Sequence, residues 1–334
     1  MRFGPVPLEQ AEGALLAHSV RLAEGKLKKG RRLGRADLDR LAEAGHAEVI
    51  VARLDPGDVD ENTAAARLAE ALVPAPQAAG LRLTEPFTGR VNLIADGPGV
   101  VTMEAERLHR LNAVHPMITL ATVPPFRQMA EGGMVGTVKI ISYAVPGEAL
   151  ATACEAARGA IRLARPALRT ATLIVTEIPG GAGEKGVPAI EGRLEALGMR
   201  MDGPVTVPHR TDPLAAAIGA AGGDLVLILT GSATSDPADV APEAVRRAGG
   251  RVDRFGMPVD PGNLLFLGEQ AGRPVIGLPG CARSPALNGA DWVLSRIACG
   301  IEVTGADIAA MGVGGLLKEI PTRPQPRAGR KARA

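Results

Sequence analysis

Two stretches of small and hydroxyl-bearing residues follow apolar segments in the second half of the chain. The first comes after residues 225–229 and contains Thr230, Gly231, Ser232, Thr234 and Ser235. The second begins with Pro279, Gly280 and Cys281 and continues to Ser284. Small residues directly after a buried strand let backbone N–H groups point at a ligand, and a helix that begins there adds the positive end of its dipole. These stretches therefore predict anion-binding turns suited to a phosphate.

Acidic residues and a third turn accompany the first stretch. Asp236 and Asp239 stand at the start of a predicted helix, where they could cap the helix or hold a Mg²⁺ that bridges phosphates. Pro261, Gly262 and Asn263 form a turn between the two stretches. Glycine-rich turns are common in α/β proteins, so each alone is more often structural. Their combination predicts one pocket at the carboxyl edge of a sheet.

Cys281 is the one thiol near these turns. A cysteine at a helix start can have a lowered pKa, but the nearest preceding histidine in the sequence is His209. A small packed or ligand-adjacent side chain is therefore favoured over a nucleophile. The three cysteines are too widely spaced for a CxxC metal site or a dense disulfide framework, and reduced thiols fit a cytoplasmic protein.

Composition narrows the function classes. The 334 residues suffice for about two domains, and 46% hydrophobic with 22% charged residues is typical of a globular protein. A net charge of +2 and 2% aromatic residues argue against nucleic acid as a partner. No apolar run is long enough for a signal peptide core or a membrane span.

The second half alternates apolar strands with helices. Strands are predicted at residues 171–175 and 225–229, and helices at 189–197, 213–221, 242–248 and 286–297. Continuous apolar strands separated by helices indicate a parallel sheet covered by helices on both faces. We therefore expect an α/β domain at 166–312 and a basic, disordered tail at 313–334.

The first half, residues 1–165, predicts a mixed strand and helix region. Helical spacing of apolar residues marks 36–44 and 62–71, and apolar or alternating runs mark strands at 48–51, 91–95, 117–122 and 134–141.

The ordered turns resemble those of the molybdopterin-binding fold, shared by enzymes that adenylylate molybdopterin and enzymes that insert molybdenum into it. Residues 230–239 match the glycine-rich Ser/Thr turn with its acidic helix start, 260–263 match the Pro-Gly turn, and 277–284 match in part the Gly-Leu-Pro-Gly signature. The resemblance covers about 169–312. Residues 29–33 and 45–49 are more weakly similar to the segment that leads into this domain in molybdotransferases.

The resemblance implies molybdopterin, or its nucleotide form, as the ligand. Asp236 and Asp239 would be the catalytic and metal-binding positions, with Mg²⁺ as the metal. The ligand-binding set would comprise Thr176, Glu177, Thr230, Gly231, Ser232, Thr234, Ser235, Pro261, Gly262, Asn263, Pro279, Gly280, Cys281 and Ser284.

Departures from the pattern bear on catalysis. Asn263 stands where molybdotransferases carry a lysine, and a neutral amide cannot supply that charge. Cys281 and Ala282 replace an Asn-Pro pair, and Glu177 matches a shortened acidic motif. Residues 280–292 look more like the molybdopterin-binding modules fused to cytidylyltransferases, but no nucleotidyltransferase signature or following β domain is present. We therefore expect a stand-alone module.

Three functions stay open from the sequence. The first is a cytoplasmic binding module for molybdopterin or adenylylated molybdopterin, with a cytidylyltransferase or molybdoenzyme as a possible partner and a possible homodimer. The second is a molybdotransferase that inserts molybdate into adenylylated molybdopterin. The third is a non-catalytic scaffold for a cofactor-processing enzyme.

Overall fold

The computed structural model describes residues 1–317, and they form two compact units. The first comprises residues 1–97 and 101–163, and the second comprises 98–100 and 164–317. Within residues 1–317, no helix is both long and apolar enough to cross a membrane.

The first unit is a mixed strand and helix structure. Its helices are α1 (Arg35–Glu43), α2 (Glu61–Leu72), α3 (Ala105–Val114) and α4 (Gly147–Ala156). The strands that lie wholly or mainly in it are β1 (Arg2–Pro7), β2 (Leu15–Leu16), β3 (Val20–Arg21), β4 (Lys26–Leu27), β5 (Glu48–Arg53), β6 (Asp58–Asp60), β7 (Leu81–Leu83), β8 (Arg90–Ala95), β9 (Gly99–Met103), β10 (Ile118–Thr122), β11 (Gln128–Met129), β12 (Met134–Ile140), β13 (Ala144–Pro146) and β14 (Ile161–Ala164). The predicted helices at 36–44 and 62–71 are confirmed as α1 and α2.

Small antiparallel sheets organise this unit. Strands β10, β12, β8 and β7 form a four-stranded sheet in that order, and β1, β5 and β2 form a three-stranded one. The side chain of Asp60 begins α2 by accepting bonds from the N–H groups of Asn62 and Thr63. The helix then buries one apolar face, which includes Leu68, in a core shared with Leu93 of β8. Burial of this face is what holds the helix on the sheet.

The second unit contains one six-stranded sheet. Its strands are β15 (Thr170–Glu177), β16 (Arg200–Pro208), β17 (Leu225–Leu229), β18 (Arg251–Phe255), β19 (Phe266–Gln270) and β20 (Arg273–Leu278), in the order β16-β15-β17-β20-β19-β18. Its helices are α5 (Val187–Glu195), α6 (Thr211–Ala220), α7 (Val240–Arg247), α8 (Gly289–Ala298) and α9 (Gly305–Ala310). Strands β16, β15, β17 and β20 are parallel, whereas β19 is antiparallel to both of its neighbours. The α/β fold is confirmed, with an antiparallel edge that the prediction of a parallel sheet did not contain.

Side chains of the central strands alternate between two apolar layers. On β15, Leu173 and Val175 join a core that includes α5 and α8, while Ile174 joins a core that includes α6 and α7. Leu227 and Ile228 of β17 divide in the same way. Because successive residues of a strand point to opposite faces, a continuous apolar run is what a sheet covered on both sides requires.

The predicted tail at 313–334 lies mostly outside the described residues. Its first part is paired with the domain: the N–H of Asp260 donates to Gly315 O at 2.8 Å, and the N–H of Leu317 donates to Asp260 O at 2.9 Å. These hydrogen bonds join residues 315–317 to the loop at Asp260, so the prediction of disorder is wrong for these residues.

Candidate functional site

The carboxyl ends of three neighbouring parallel strands meet at one edge of the six-stranded sheet. Strand β15 ends at Glu177, β17 ends before Thr230, and β20 ends before Pro279. Strand β19 is antiparallel to β20, with Phe266 opposite Gly277, so the loop that precedes β19 lies at the same edge. The tertiary structure therefore brings the three predicted turns and the Thr176-Glu177 pair to one edge.

Thr176 and Gly231 hold the first turn against the end of β15. The N–H of Gly231 donates to Thr176 Oγ1 at 2.9 Å, and that hydroxyl also shares a 2.8 Å hydrogen bond with Nδ1 of His209. A Cβ atom at position 231 would lie 2.7 Å from the carbonyl oxygen of Thr176. Glycine is needed here because the two backbones approach too closely for a side chain.

Hydroxyls of the first turn divide into buried and exposed sets. Thr230 and Thr234 are buried, and Thr230 Oγ1 lies 2.6 Å from Ser232 O and 3.4 Å from Thr234 Oγ1. Ser232 and Ser235 are exposed. The threonines therefore shape the turn, and the serines face solvent where a ligand could reach them.

Backbone amides of this turn are available. Within residues 1–317, the N–H groups of Ser232, Ala233 and Thr234 donate no hydrogen bond to the protein. Successive unpaired N–H groups in a turn form an anion-binding concavity. The turn can thus accept a phosphate through amides as well as through the exposed serine hydroxyls.

Asp239 caps the start of α7, and Asp236 accepts a hydrogen bond in the turn just before it. Asp239 Oδ1 accepts a hydrogen bond from the N–H of Val240, the first residue of α7. Asp239 Oδ2 accepts one from the N–H of Ser235 at 3.0 Å. Asp236 Oδ1 accepts from Ala238 N at 2.7 Å. Three carboxylate oxygens are thus used by backbone donors, and residues 1–317 contain no group of three or more His, Cys, Asp or Glu side chains that could hold a metal. Binding of Mg²⁺ by these two carboxylates together with a ligand phosphate stays a prediction.

The loop with Pro261, Gly262 and Asn263 packs on the start of α8. Pro261 O accepts from Gly289 N at 2.9 Å, and a Cβ at position 262 would lie 2.8 Å from that same nitrogen. Gly262 also has φ of +144°, which favours glycine. Asn263 is exposed; its backbone oxygen accepts from Met257 N at 3.0 Å.

The second turn presents an open glycine and a weakly acidic thiol. No heavy atom lies within 4 Å of where a Cβ of Gly280 would be, so its backbone is accessible. Burial raises the pKa of the Cys281 thiol, Asp260 and Asp291 add to the rise, and Arg193 opposes it. A raised pKa favours a packed or ligand-adjacent thiol over a nucleophile. Ser284 is exposed, and its Oγ accepts from Ala286 N at 3.2 Å.

Arg283 joins all three strand-end loops. Its guanidinium donates to the carbonyl oxygens of Gly183 at 2.9 Å, Thr230 at 3.0 Å and Lys185. Its desolvation lowers the pKa of the guanidinium, although an arginine stays charged at any physiological pH. The fork of donors thereby ties the loop after β15 and the turn after β17 to the turn after β20.

Sequence reasoning missed the roles of Arg193, His209 and Arg283. Arg193 donates to Asp291 on α8 and to carbonyl oxygens of the second turn. His209 follows β16, an edge strand whose side chains are mostly exposed and whose sequence lacks an apolar run. The one sequence signal for the role of Arg283 was its position as a long charged residue in a turn of otherwise small residues.

Family models match two parts of the chain. Residues 173–297 match the model described as a probable molybdopterin binding domain, and residues 5–53 match a domain of unknown function (DUF8806). No curated protein sequence matches the chain.

Solved structures show similarity at low identity. The molybdopterin biosynthesis MoeA protein of Pyrococcus horikoshii is 15% identical over 89% of this chain and 75% of its own, with a TM-score of 0.31. A molybdenum cofactor biosynthesis protein of Pyrococcus furiosus is 13% identical over 92% of this chain and 65% of its own, with a TM-score of 0.25. The matched model spans the strand ends and turns described above. Residues 173–297 are therefore similar to the probable molybdopterin binding domain that this family model describes.

Proposed function

We propose that this protein binds molybdopterin or its nucleotide form as a binding module during molybdenum cofactor biosynthesis. The observation that carries the proposal is the row of three unpaired N–H groups at Ser232, Ala233 and Thr234, directly after a central strand. In this proposal the ligand phosphate rests on those amides, assisted by the hydroxyls of Ser232 and Ser235. Gly262, Asn263, Gly280 and Ser284 would line the opposite side.

Charge and proton chemistry at the edge favour binding over turnover. Oxyanion stabilisation in molybdate insertion needs fixed positive charge, and Asn263 supplies none. The carboxylates of Asp236 and Asp239 accept hydrogen bonds from backbone amides at or just before the start of α7, and the Cys281 thiol has a raised pKa. The guanidinium of Arg283 is directed at carbonyl oxygens of the loops.

Calorimetry with purified molybdopterin tests the binding module. We expect saturable binding by the wild type and affinity weakened at least about tenfold in Ser232→Asp, because a carboxylate there repels the phosphate. Thr152→Asp, an exposed change on α4, is the matched control for added charge and should bind like the wild type. No binding by the wild type, or equal binding by Ser232→Asp, would overturn the proposal.

An in vitro cofactor-reconstitution assay distinguishes the binding module from a molybdotransferase and from a scaffold. A molybdotransferase would incorporate molybdate into adenylylated molybdopterin and lose that activity in Asp236→Ala. The module predicts ligand binding without turnover. A scaffold predicts binding of a partner, such as a cytidylyltransferase or a molybdoenzyme, that persists in pocket variants while the ligand does not bind. The cytoplasm as the site of action and a homodimer as the working form are further parts of this proposal.

A further inference from the structure

A small polar cavity lies within the first unit, apart from the strand-end turns of the second. Its volume is about 180 Å³, and the side chains that bear polar groups on its wall are Lys29, Glu61, Thr88, Lys139, Ser142 and Tyr143. They come from five separate places in the chain: the turn after β4, the start of α2, the turn before β8, strand β12 and the loop before β13. Such convergence of polar groups in a concave site is typical of ligand recognition.

Hydrogen bonds and close backbone approaches connect the segments that form the wall of the cavity. The N–H of Glu61 donates to Tyr143 O at 3.0 Å, and the N–H of Gly89 donates to Asn62 Oδ1 at 2.8 Å. A Cβ at position 89 would lie 2.7 Å from Ile140 O and 2.9 Å from Glu61 Oε2. The turn at Gly89 thus packs closely between α2 and β12, the elements that carry Glu61 and Lys139.

Charges in the cavity are unevenly balanced. Two ammonium groups, of Lys29 and Lys139, stand against the single carboxylate of Glu61, so the net charge is positive when all three are ionised. Both lysines are near enough to Glu61 to oppose the rise that partial burial gives the pKa of that carboxyl, to which Asp60 adds. Within residues 1–317, the Glu61 carboxylate accepts no hydrogen bond and forms no ion pair.

The remaining donors leave room for a ligand. Lys139 Nζ donates to Thr88 O, which uses one of its three hydrogens. Tyr143 OH donates to Ala17 O at 2.5 Å, and Ser142 Oγ donates to Ala144 O at 2.6 Å. Both hydroxyl oxygens keep acceptor capacity, and the lysines keep donors. The free groups are therefore the ammonium donors of the two lysines, the Glu61 carboxylate and the acceptor sites of the two hydroxyl oxygens.

We propose that this cavity binds a small phosphate, free or as a compact monoester, through Lys29 and Lys139, with Glu61 accepting the proton of a P–OH group. Two ammonium donors match the phosphate oxygens as point charges. The volume limits the ester to a short one, because a drug-sized ligand occupies several hundred Å³. This site is independent of the proposed molybdopterin turn, which is built from other residues.

Calorimetry with inorganic phosphate and with glycerol 3-phosphate tests the inference. We expect saturable binding of at least one, with affinity reduced at least about fivefold in Lys139→Gln and about threefold in the more exposed Lys29→Gln. Lys28→Gln is the matched control, because Lys28 adjoins Lys29 but does not line the cavity. Binding of the ester indicates a phosphate monoester, and binding of inorganic phosphate alone indicates the free ion.

The variant Glu61→Gln gives a second test, in which the expected change in affinity is opposite to that of the lysine variants. Removing this negative charge should tighten binding of dianionic glycerol 3-phosphate at pH 8, because that dianion has no P–OH group to donate to Glu61, whereas a merely structural role predicts no gain. Circular dichroism checks that each variant is folded. Phosphate binding that is absent from the wild type, or unchanged in both Lys29→Gln and Lys139→Gln, would overturn the inference.

Discussion

Arg193 Nε donates to Oδ1 of Asp291 at 2.6 Å, and the two side chains are only 9% and 14% exposed. The other guanidinium nitrogens of Arg193 donate to carbonyl oxygens of Ala282, Ser284 and Ala286. Asp291 Oδ2 in turn accepts from Asn288 N at 2.7 Å, which completes the cap of α8. One ion pair thus positions the second turn between α5 and α8.

Loss of the Arg193–Asp291 ion pair should destabilise the folded protein. We expect Arg193→Met to lower the free energy of unfolding by about 3 kcal/mol, because it leaves a largely buried carboxylate without its partner. Urea unfolding measures the change. Arg247→Met, which removes an exposed ion pair with Asp212, is the control and should cost less than about 1 kcal/mol. Equal effects in both variants would show that the Arg193 pair adds no special stability.

Gly231→Ala should disturb the first turn. The new methyl group would meet Thr176 O at 2.7 Å and Ile178 N at 3.2 Å, both backbone atoms, so we expect a loss of about 1–3 kcal/mol. Gly219→Ala on α6 is the matched control, since no atom lies within 4 Å of its Cβ position. That change should stabilise the helix by up to about 1 kcal/mol. Thermal unfolding compares the two, and a stabilised Gly231→Ala would contradict the close approach.

The cysteines should react slowly with iodoacetamide at neutral pH. Burial raises the pKa of Cys281 above its ordinary value and that of Cys299 to about 11. The thiolate is the nucleophile, so a raised pKa lowers the reactive fraction at pH 7. Single-cysteine variants followed by mass spectrometry should rank Cys299 slowest, with each rate rising as the pH rises. A Cys281 rate that is already constant below pH 8 would instead indicate an activated thiol.

Asp37 should make the first unit sensitive to acid. The hydrogen bond from Arg31, with help from Gly34 N, lowers the pKa of Asp37 below its ordinary value of 3.8. A lowered folded pKa gives stability that is present above the unfolded pKa and is lost as the pH falls through the folded pKa. Asp37→Asn should therefore cost about 1 kcal/mol at pH 7 and progressively less below about pH 4.

Unfolding in urea between pH 2.5 and 7 measures this dependence. Asp39→Asn, an exposed position in the same helix, serves as the control and should show little change with pH. A cost for Asp37→Asn that stays constant over the whole range would contradict the ionic role of Asp37.

Most elements of the second unit followed from local pattern. Strand β17 was predicted at its observed bounds because its five residues are all apolar, and α5, α6, α7 and α8 were each predicted within three residues of their observed ends. Strand β16 was not predicted, because an exposed edge strand needs no apolar run. Strands β18 and β19 were missed as well. Their antiparallel pairing depends on partners that the local pattern does not reveal.

The domain boundaries and the roles of the ligand-binding residues stay predictions. The sequence leaves two roles open for Asp236 and Asp239, which are capping a helix and binding a metal ion. Only the folded backbone showed that both carboxylates accept from N–H groups of their own turn.

Sequence alone determined which residues follow the strands, because apolar runs and glycine-rich turns are local properties. It thereby placed Thr230 to Ser235 and Pro279 to Ser284 at strand ends. Tertiary structure alone decided which of these groups remain free. Thr176 and Arg283 bond to residues 55 and 53 positions away, Gly231 and Thr230, and no local pattern encodes such partners. Hydrogen bonding at long sequence separation is what leaves three amides of the first turn open.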